Sequence, residues 1–458
     1  MKDGDPIFIS VFPSPRRMIR LHPSHGRLLS LSPGQHASVT CGLRRTDAAV
    51  WLDPGVPPDR LWVSSGVSQS VFLGLPVDAV RARLEDGTVR VGPTIGILCN
   101  PVWNERRKTL RWTKQLPVLE KLVQAGQKLG ALVYIFGIQD VDFGRGTVRA
   151  FVFQDGSWRP DRMPLPDAIY DQVVSRKLER SKKYQDRRMQ LSRMYANRIF
   201  NDGFFDKWNV HEWLWNDRQT RALVPYSEKY SNSRQAAAFL KRYPVTFIKP
   251  VHGSLGLGIV RVTREADGTF RYEVRQKSGR TQNKVGTAEA VVGAIHRRLQ
   301  QTPHVLQEGV PVARFRGRPF DVRIVLQRDG SGEWKRTKMF VRVAKAGEFT
   351  ANLASGGEAM PLDTVLREAF ASEERRHRVR GQVRRASGWV ASVIESQCGK
   401  PLGELGVDLA IDESGKVWVL EVNSKPWKAS STDKGRQDLV DLSFTRPIEY
   451  AIRLAQQR

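Results

Sequence analysis

Three side chains able to bind a metal ion interrupt two apolar, strand-like runs near the end of the chain, at residues 406–411 and 417–423. Glu421 and Asn423 are two residues apart, so on a strand they share one face, about 7 Å apart. A two- or four-residue turn between the runs also brings Asp408 to that face. Oxygen ligands without His or Cys favour Mg²⁺ or Mn²⁺, and such an ion usually also binds phosphate groups. The alternative is that these polar groups only flank the edge of a sheet.

A lysine at the end of an apolar strand is the second chemical feature. Residues 245–250 form the strand, Lys249 lies near its end, and the glycine-rich segment 253–258 leads into another strand. Glycines let successive backbone N–H groups face phosphate oxygens, and the lysine adds a positive charge. The segment joins strand to strand, so it is neither a Walker loop nor a dinucleotide fingerprint. Alone, such a segment is more often only a hairpin.

Three further segments carry groups that could contact a ligand. Gln307 and Glu308 end an apolar strand whose backbone could meet an adenine edge. Asp321 and Arg323 are two residues apart on another strand, so they share one face. A buried arginine there requires an anionic partner. Asn352 lies in a loop from which its amide could reach a metal-bound phosphate or the reacting group.

Composition sets the protein's general class. A chain of 458 residues with 40% hydrophobic and 26% charged residues is globular and predicts roughly three domains. No apolar run approaches the roughly 20 residues of a membrane span, and the first residues lack a signal-peptide pattern. The 3 cysteines, an odd number and widely spaced, indicate neither a disulfide framework nor a zinc site. An intracellular, reducing setting is the simplest interpretation.

The formal charge of +27 predicts a long-range attraction for polyanions. Much of it lies in two predicted helices, at residues 176–198 and 375–385, for which a solvated helix face is the alternative explanation. No zinc-finger spacing or RNA-binding motif supports specific base recognition. Lys428, close after the metal-competent strand, is expected to be a solvated charge, with the lining of a substrate pocket as the alternative.

The order of these motifs resembles the ATP-grasp superfamily over about residues 95–430. Segments 200–208 and 247–256 are most similar to the YheC/YheD family of endospore coat-associated proteins. The resemblance implies an α/β (α+β ATP-grasp) fold. Short strand-like runs and turn signals roughly every 8 to 12 residues predict an additional small N-terminal all-β domain, a barrel or a sandwich. The expected domains are an N-terminal β domain at 1–90, a pre-ATP-grasp α/β domain at 94–200, and an ATP-grasp domain at 201–458. Within the last, a nucleotide-lid subdomain is expected at about 240–310 and a metal-binding, catalytic subdomain at about 311–430.

The resemblance also assigns site residues. Binding of ATP phosphates, ribose or adenine falls to Lys207, Lys249, Gly253, Ser254, Leu255, Gly256, Gly258, Gln307 and Glu308. Metal binding falls to Asp408, Glu421 and Asn423, and catalysis to Arg323 and Asn352. Two bland alternatives remain, because Lys207 could be an ordinary lysine at a helix start and Glu308 could cap a strand end.

The implied activity is that of an ATP-dependent carboxylate–amine ligase acting through an acyl phosphate, with ATP and Mg²⁺ (or Mn²⁺) as cofactors. Its substrates would be an unidentified carboxylate and amine, among them a peptide or an anionic polymer. The resemblance further implies spore-coat partners and a cytoplasmic or spore-associated location. The alternatives are a non-enzymatic coat or assembly protein that retains the fold, and a binder of polyanions or nucleic acid.

Overall fold

The computed structural model describes residues 7–28, 34–71, 80–85, 87–253, 256–276, 279–351, 353, 356–428 and 436–457. Strands within residues 7–91 form a closed barrel in the order β1-β5-β2-β4-β3-β7-β6, with short helices beside it. The elements are β1 Ile7–Phe12, β2 Met18–Leu21, α1 Pro23–Leu28, β3 His36–Cys41, β4 Arg44–Leu52, β5 Arg60–Ser64, α2 Ser65–Val71, β6 Arg81–Glu85 and β7 Thr88–Val91. Buried side chains such as Ile9, Ile19 and Leu61 fill the barrel.

A mixed sheet follows, in the order β13-β12-β11-β8-β14-β15, with its central neighbours parallel. The elements are β8 Thr94–Cys99, β9 Trp103–Asn104, β10 Thr109–Leu110, α3 Leu116–Lys128, β11 Leu132–Asp142, β12 Thr147–Gln154, β13 Ser157–Pro164, β14 Ala168–Asp171, α4 Arg176–Glu179, α5 Lys182–Tyr195, a 3₁₀ turn Ala196–Arg198 and β15 Ile199–Phe200. β8 is buried along its whole length, as expected for a strand covered on both faces.

The third sheet is antiparallel and runs β16-β21-β17-β18-β19-β20. Its region comprises α6 Lys207–Asn216, a 3₁₀ turn Arg221–Leu223, β16 Ser227–Lys229, α7 Ser233–Arg242, β17 Val245–Pro250, β18 Val260–Arg264, β19 Phe270–Gln276, β20 Gly279–Val285, α8 Ala288–Gln301 and β21 His304–Glu308. Helices α7 and α8 pack together on one face of this sheet and bury its apolar side chains. Asn232 and Thr287 cap these helices by accepting hydrogen bonds from backbone N–H groups of the first turn.

The last sheet has the order β25-β24-β23-β26-β27, and the short β22 pairs with β23. Its region comprises β22 Arg314–Phe315, β23 Arg318–Arg328, β24 Trp334–Val343, β25 Glu358–Met360, α9 Leu362–Ala369, α10 Glu373–Cys398, β26 Glu404–Ile411, β27 Val417–Asn423 and α11 Gln437–Gln456. Helices α6, α9 and α10 cover one face of the sheet. Ser372 caps α10, and Gly399 ends it in the left-handed conformation at φ 63°.

Helix α11 returns to the second sheet rather than staying on the last one. Phe444, Ile448 and Leu454 join the core between α3 and strands β8 and β14. The C-terminal segment therefore joins two sheets that are distant in sequence. None of the helices within the described ranges combines the length and apolarity needed to cross a membrane.

The mixed α/β class with an additional strand-rich N-terminal region is confirmed. The basic block at 375–385 lies in α10, and the block at 176–198 is divided between α4 and α5. The exact domain boundaries stay predictions.

Candidate functional site

The metal-competent residues lie in neighbouring strands of the last sheet. Asp408 in β26 pairs directly with Glu421 in β27, and Gly406 pairs with Asn423. Nearest the turn, Ile411 pairs with Val417, so five residues connect the strands. This odd number would place Asp408 opposite Leu420, but a β-bulge between Asp408 and Leu409 shifts the register by one residue. The bulge, rather than the expected even turn, places Asp408 beside Glu421.

Arg323 extends this row onto a third strand, because it pairs with Asp408 across β23 and β26. Its Nε donates to Asp408 Oδ1, and its Nη2 donates to Asp408 Oδ2 at 2.9 Å. Arg342 Nη2 lies 3.0 Å from Asp408 Oδ2 and 2.9 Å from Asp321 Oδ2. Asp408 therefore sits between two guanidinium groups, and Arg342 links it to Asp321.

The pKa values of the two aspartates of this network are shifted in opposite directions. Burial would raise the pKa of Asp408, but Arg323 and Arg342 outweigh burial and hold that pKa below its ordinary value. Burial raises the pKa of Asp321 to about 6, and repulsion from Asp408 adds to the shift although Arg342 opposes it. Asp408 therefore stays ionised at neutral pH and below, whereas Asp321 takes up a proton as the pH falls through about 6.

Lys207 connects the helix that it begins to the metal-competent strand. Its Nζ donates to Glu421 Oε1 at 2.7 Å and to the carbonyl oxygen of Gly253 at 3.0 Å. Asp206 caps α6 by accepting hydrogen bonds from the N–H groups of Trp208 and Asn209, which fixes the start of the helix. Lys207 is thus held by a carboxylate and by the glycine-rich segment, and it is more than an ordinary lysine at a helix start.

Lys249 lies on β17 and faces the same cleft. Its Nζ donates to Gln307 Oε1 at 2.5 Å, and Gln307 Nε2 donates to Ser227 Oγ at 3.1 Å. Burial lowers the pKa of Lys249 to about 8, with the attraction of Glu421 opposing the shift and repulsion from Lys207 adding to it. At neutral pH the residue carries a positive charge that lacks full hydration.

The glycine-rich segment lies beside Pro250. Gly256 and Gly258 adopt φ of +70° and +78°, which other residues seldom do. The Gly258 N–H donates to the carbonyl oxygen of Arg275 at 2.9 Å, so this end is fixed to β19. The assigned Ser254 and Leu255 lie outside the described residues.

Glu308 has a structural partner at the end of β21. Its Oε1 accepts a hydrogen bond from the Tyr226 N–H at 2.8 Å, and its own N–H donates to the Tyr226 carbonyl oxygen at 3.0 Å. One carboxylate oxygen of Glu308 therefore caps the strand end, which is the alternative to ligand binding given above.

An open cleft, of about 560 Å³ when the solvent at its mouth is included, brings these elements together. His211 borders it, and burial together with the nearby Lys249 lowers the His211 pKa to about 4, so this imidazole is neutral at pH 7. The lining residues are Phe205, Lys207, Val210, His211, Leu214, Val224, Lys249, Val305, Gln307, Val419, Leu420, Glu421 and Val422. An apolar pocket with two lysines and one carboxylate suits a ligand that has both an aromatic and an anionic part.

The fit of these residues to a metal ion is partial. Glu421 and Asn423 supply carboxylate and amide oxygens on one strand face, as hard divalent ions require. Both oxygens of Asp408 accept hydrogen bonds from arginine, so Asp408 could join a metal ion only by releasing one of them. Within the part of the chain that the structure describes, no three His, Cys, Asp or Glu side chains are grouped as a metal centre. The assigned Asn352 lies outside the described residues.

The sequence did not predict that two lysines after β27 are buried. Lys425 Nζ lies 2.8 Å from Asp171 Oδ1 and 2.8 Å from Glu179 Oε1. Lys428, expected to be solvated, is buried, and its Nζ donates to Glu404 Oε1 and to Tyr170 Oη, each at 2.7 Å. The signal was a pair of lysines directly after a strand of metal-competent residues. The ion pair of Lys425 with Asp171 and the hydrogen bond of Lys428 to Tyr170 connect the segment after β27 to the second sheet.

The chain belongs to the YheC/D-like ATP-grasp family, whose family model matches residues 196–454. The matched region contains every residue to which the family resemblance assigned a role. The predicted family and its ATP-grasp fold are thereby confirmed.

Two proteins of Bacillus subtilis (strain 168) are similar in sequence. Identity to the endospore coat-associated protein YheD is 26% over 374 residues, which cover 82% of this chain and 81% of YheD. Identity to the endospore coat-associated protein YheC is 24% over 286 residues, which cover 62% of this chain and 77% of YheC. Both names agree with the predicted family.

Several solved ligase and synthetase structures are similar at lower identity. D-cycloserine synthetase DcsG is 15% identical with a TM-score of 0.46, over 80% of this chain and 99% of DcsG. D-alanyl-alanine synthetase A from Vibrio cholerae O1 biovar eltor str. N16961 is 13% identical with a TM-score of 0.46, over 80% of this chain and 98% of that chain. ATP-grasp ligase PsnB with its minimal precursor is 16% identical with a TM-score of 0.43, over 79% and 98%. At such values the likeness says nothing about the substrate of this chain.

Proposed function

We propose that this chain binds Mg-ATP in the cleft and uses it to join a carboxylate to an amine. The observation that carries the proposal is the convergence of Lys207, Lys249 and Glu421 on one cleft beside the glycine-rich segment. The two lysines suit the phosphates of a nucleotide. Glu421 suits the metal ion that accompanies the nucleotide. Membership of an ATP-grasp family supports the same assignment.

The binding roles are those that the resemblance to the ATP-grasp family implies. Lys249 and Lys207 would contact the α- and β-phosphates, and the glycine-rich segment would close over the triphosphate. Gln307 and Glu308 would border the adenine and the ribose, with Gln307 also holding Lys249 in place. Glu421 and Asn423 would hold Mg²⁺, or Mn²⁺. Asp408 would contribute after releasing its hydrogen bonds to one arginine.

The proposed reaction has two steps. A carboxylate oxygen of the acid substrate bonds to the γ-phosphorus while the bond from that phosphorus to the β,γ-bridging oxygen breaks, which gives an acyl phosphate and ADP. An amine nitrogen then bonds to the acyl carbon, phosphate leaves, and the amine loses a proton. Arg323 would stabilise the transferred phosphoryl group, and Asn352 would orient it. A bound divalent ion would supply further charge neutralisation at the phosphates.

Trapping the activated acid tests this proposal without knowledge of the amine. The full-length protein is incubated with Mg-ATP, pools of amino acids and acidic peptides, and hydroxylamine, which converts acyl phosphates into hydroxamates. We expect release of ADP together with hydroxamate for at least one pool, and neither product from Glu421→Ala. ATP binding without ADP release from any pool would contradict the ligase assignment.

A non-enzymatic role in coat assembly is the second candidate. It is favoured by the two arginines that occupy both oxygens of Asp408, and by the names of the two Bacillus relatives. In that case nucleotide binding would regulate assembly, in the cytoplasm or at the spore, and spore-coat proteins would be the partners. A polyanion- or nucleic-acid-binding role rests on the charge of +27 alone.

A further inference from the structure

Arg176, the first residue of α4, lies at the edge of the cleft. Its Nη1 donates to the carbonyl oxygen of Phe205 at 3.4 Å, and its Cζ lies 4.2 Å from the centre of the Phe204 ring. Phe205 itself lines the cleft, beside Lys207. Burial lowers the pKa of Arg176, against the attraction of Glu179 and, more weakly, of Glu421 and Asp206. The second sheet thus directs a cation toward the proposed nucleotide site.

Arg176 forms no direct ion pair with any residue that the structure describes. Among the described residues, neither Arg176 nor Arg180 has a carboxylate within 4.0 Å, and Arg176 Nε is buried without a hydrogen-bond acceptor. The neighbouring carboxylates already have lysine partners, since Lys425 binds Glu179 at 2.8 Å and Lys207 binds Glu421 at 2.7 Å. A partly buried guanidinium whose nearest carboxylates are already paired with lysines favours the arrival of a further anion.

The surroundings of Arg176 are also positive. Arg180 lies close enough to His252 to repel its protonated form, and His252 Nδ1 is 3.8 Å from Asp206 Oδ2. Beyond the cleft, Lys177 and the first residues of α5, Lys182 and Lys183, are exposed. A basic surface therefore runs from the cleft edge along α4 to the start of α5.

We propose that Arg176 and Arg180 form a carboxylate subsite that holds the acid substrate beside the γ-phosphate, and that this substrate is an acidic peptide. The proposal rests on the ligase function proposed above, because that reaction requires a carboxylate next to the nucleotide. The planar fork of a guanidinium group binds a carboxylate through two parallel hydrogen bonds. The lysines farther along the surface would bind additional carboxylates of the peptide.

Fluorescence anisotropy with labelled hexa-L-glutamate tests the subsite, with hexa-L-glutamine as the neutral probe. The full-length protein, Arg176→Gln, Arg180→Gln and Arg385→Gln are compared. Arg385 is the matched control, because it is an exposed arginine on α10. Each protein is also titrated with Mg-ATP, and its melting temperature is recorded.

We expect Arg176→Gln and Arg180→Gln each to weaken hexaglutamate binding about tenfold, as the loss of a charge-assisted hydrogen bond predicts, while Arg385→Gln changes it less than about twofold. ATP affinity should remain within about threefold in all of them, because no nucleotide contact is removed.

Equal weakening by the Arg385 control, equal binding of hexaglutamine, or no hexaglutamate binding would overturn the subsite. Tighter binding of a DNA oligonucleotide that the same substitutions abolish would point to phosphate and overturn the peptide. Absence of ATP binding by the unsubstituted protein would instead refute the proposed function.

Discussion

Lys249 combines burial with a charge, and its pKa of about 8 lies within the range of ordinary assays. Below that pH the ammonium group is available to phosphate, and above it the group loses its proton. The same desolvation that lowers the pKa would strengthen an interaction with phosphate, because few water molecules compete. Gln307 holds the amine in position at 2.5 Å.

We predict that ATP affinity falls about tenfold between pH 7 and pH 9, because the protonated fraction of a group with a pKa near 8 falls by that factor. The bound phosphates raise the pKa of Lys249, so binding near pH 8 should take up protons. Calorimetry in two buffers of different ionisation enthalpy measures this uptake. Lys249→Arg, which stays charged throughout, should show neither the uptake nor the fall. Proton release on binding to the unsubstituted protein would contradict the prediction.

Glu421 repels phosphate directly and attracts it through a metal ion. We therefore predict that Glu421→Gln binds ATP at least as well as the unsubstituted protein without magnesium, and loses most of the gain that magnesium provides. Glu413→Gln is the matched control, because Glu413 is exposed in the connection between β26 and β27. Titrations with and without Mg²⁺ measure both effects. A magnesium gain that survives in Glu421→Gln would remove this residue from the metal site.

At the scale of elements, strands β23, β26 and β27 hold Arg323, Asp408 and Glu421 in one row. Successive residues of a strand point to opposite faces, so register alone decides which side chains meet. The arginines around Asp408 give the row a structural role in addition to any role in catalysis.

We predict that Asp408→Asn lowers the free energy of unfolding by about 3 kcal/mol, because two buried guanidinium groups lose their shared counter-charge. Asp363→Asn is the control, since Asp363 makes an exposed pair with Arg380 at 3.4 Å and should cost less than about 1 kcal/mol. Urea unfolding at pH 7 measures both. Similar losses in the two variants would show that the Asp408 network contributes little to stability.

The sequence predicted these strands well and their register less well. Alternation of apolar residues located β17, β26 and β27, because side-chain burial repeats every two residues. The bulge opposite Asp408 was missed, although it interrupts the alternation of buried residues between Val419 and Val422. Arg342 was missed because nothing local distinguishes it from other arginines of a basic chain.

At the scale of the whole molecule, helix α11 fastens the end of the chain to the second sheet. Helix α3 packs tightly on β11 at Gly126, where a Cβ would lie 2.1 Å from Val133 Cγ2, while Ile448 Cγ2 of α11 would lie at an ordinary contact distance of 3.5 Å. Long-range contacts such as this one, and the ion pairs of Lys425 and Lys428, depend on three-dimensional packing that residue spacing does not encode.

We predict that Ile448→Ala lowers the free energy of unfolding by about 3 kcal/mol, because it leaves a cavity in a fully buried core. Asp441→Ala, an exposed position on the same helix, should change it by less than about 0.5 kcal/mol. Chemical denaturation measures both variants. Equal stability of the two would mean that α11 does not contribute to the core of the second sheet.

The central claim is that Lys249 and Glu421 belong to one Mg-ATP site. Calorimetric titration of ATP, with and without Mg²⁺, tests it for the unsubstituted protein, Lys249→Ala, Glu421→Ala and the control Glu413→Gln. The account predicts magnesium-dependent binding that both alanine substitutions remove and the control retains. No binding by the unsubstituted protein, or binding that neither alanine substitution changes, would contradict it.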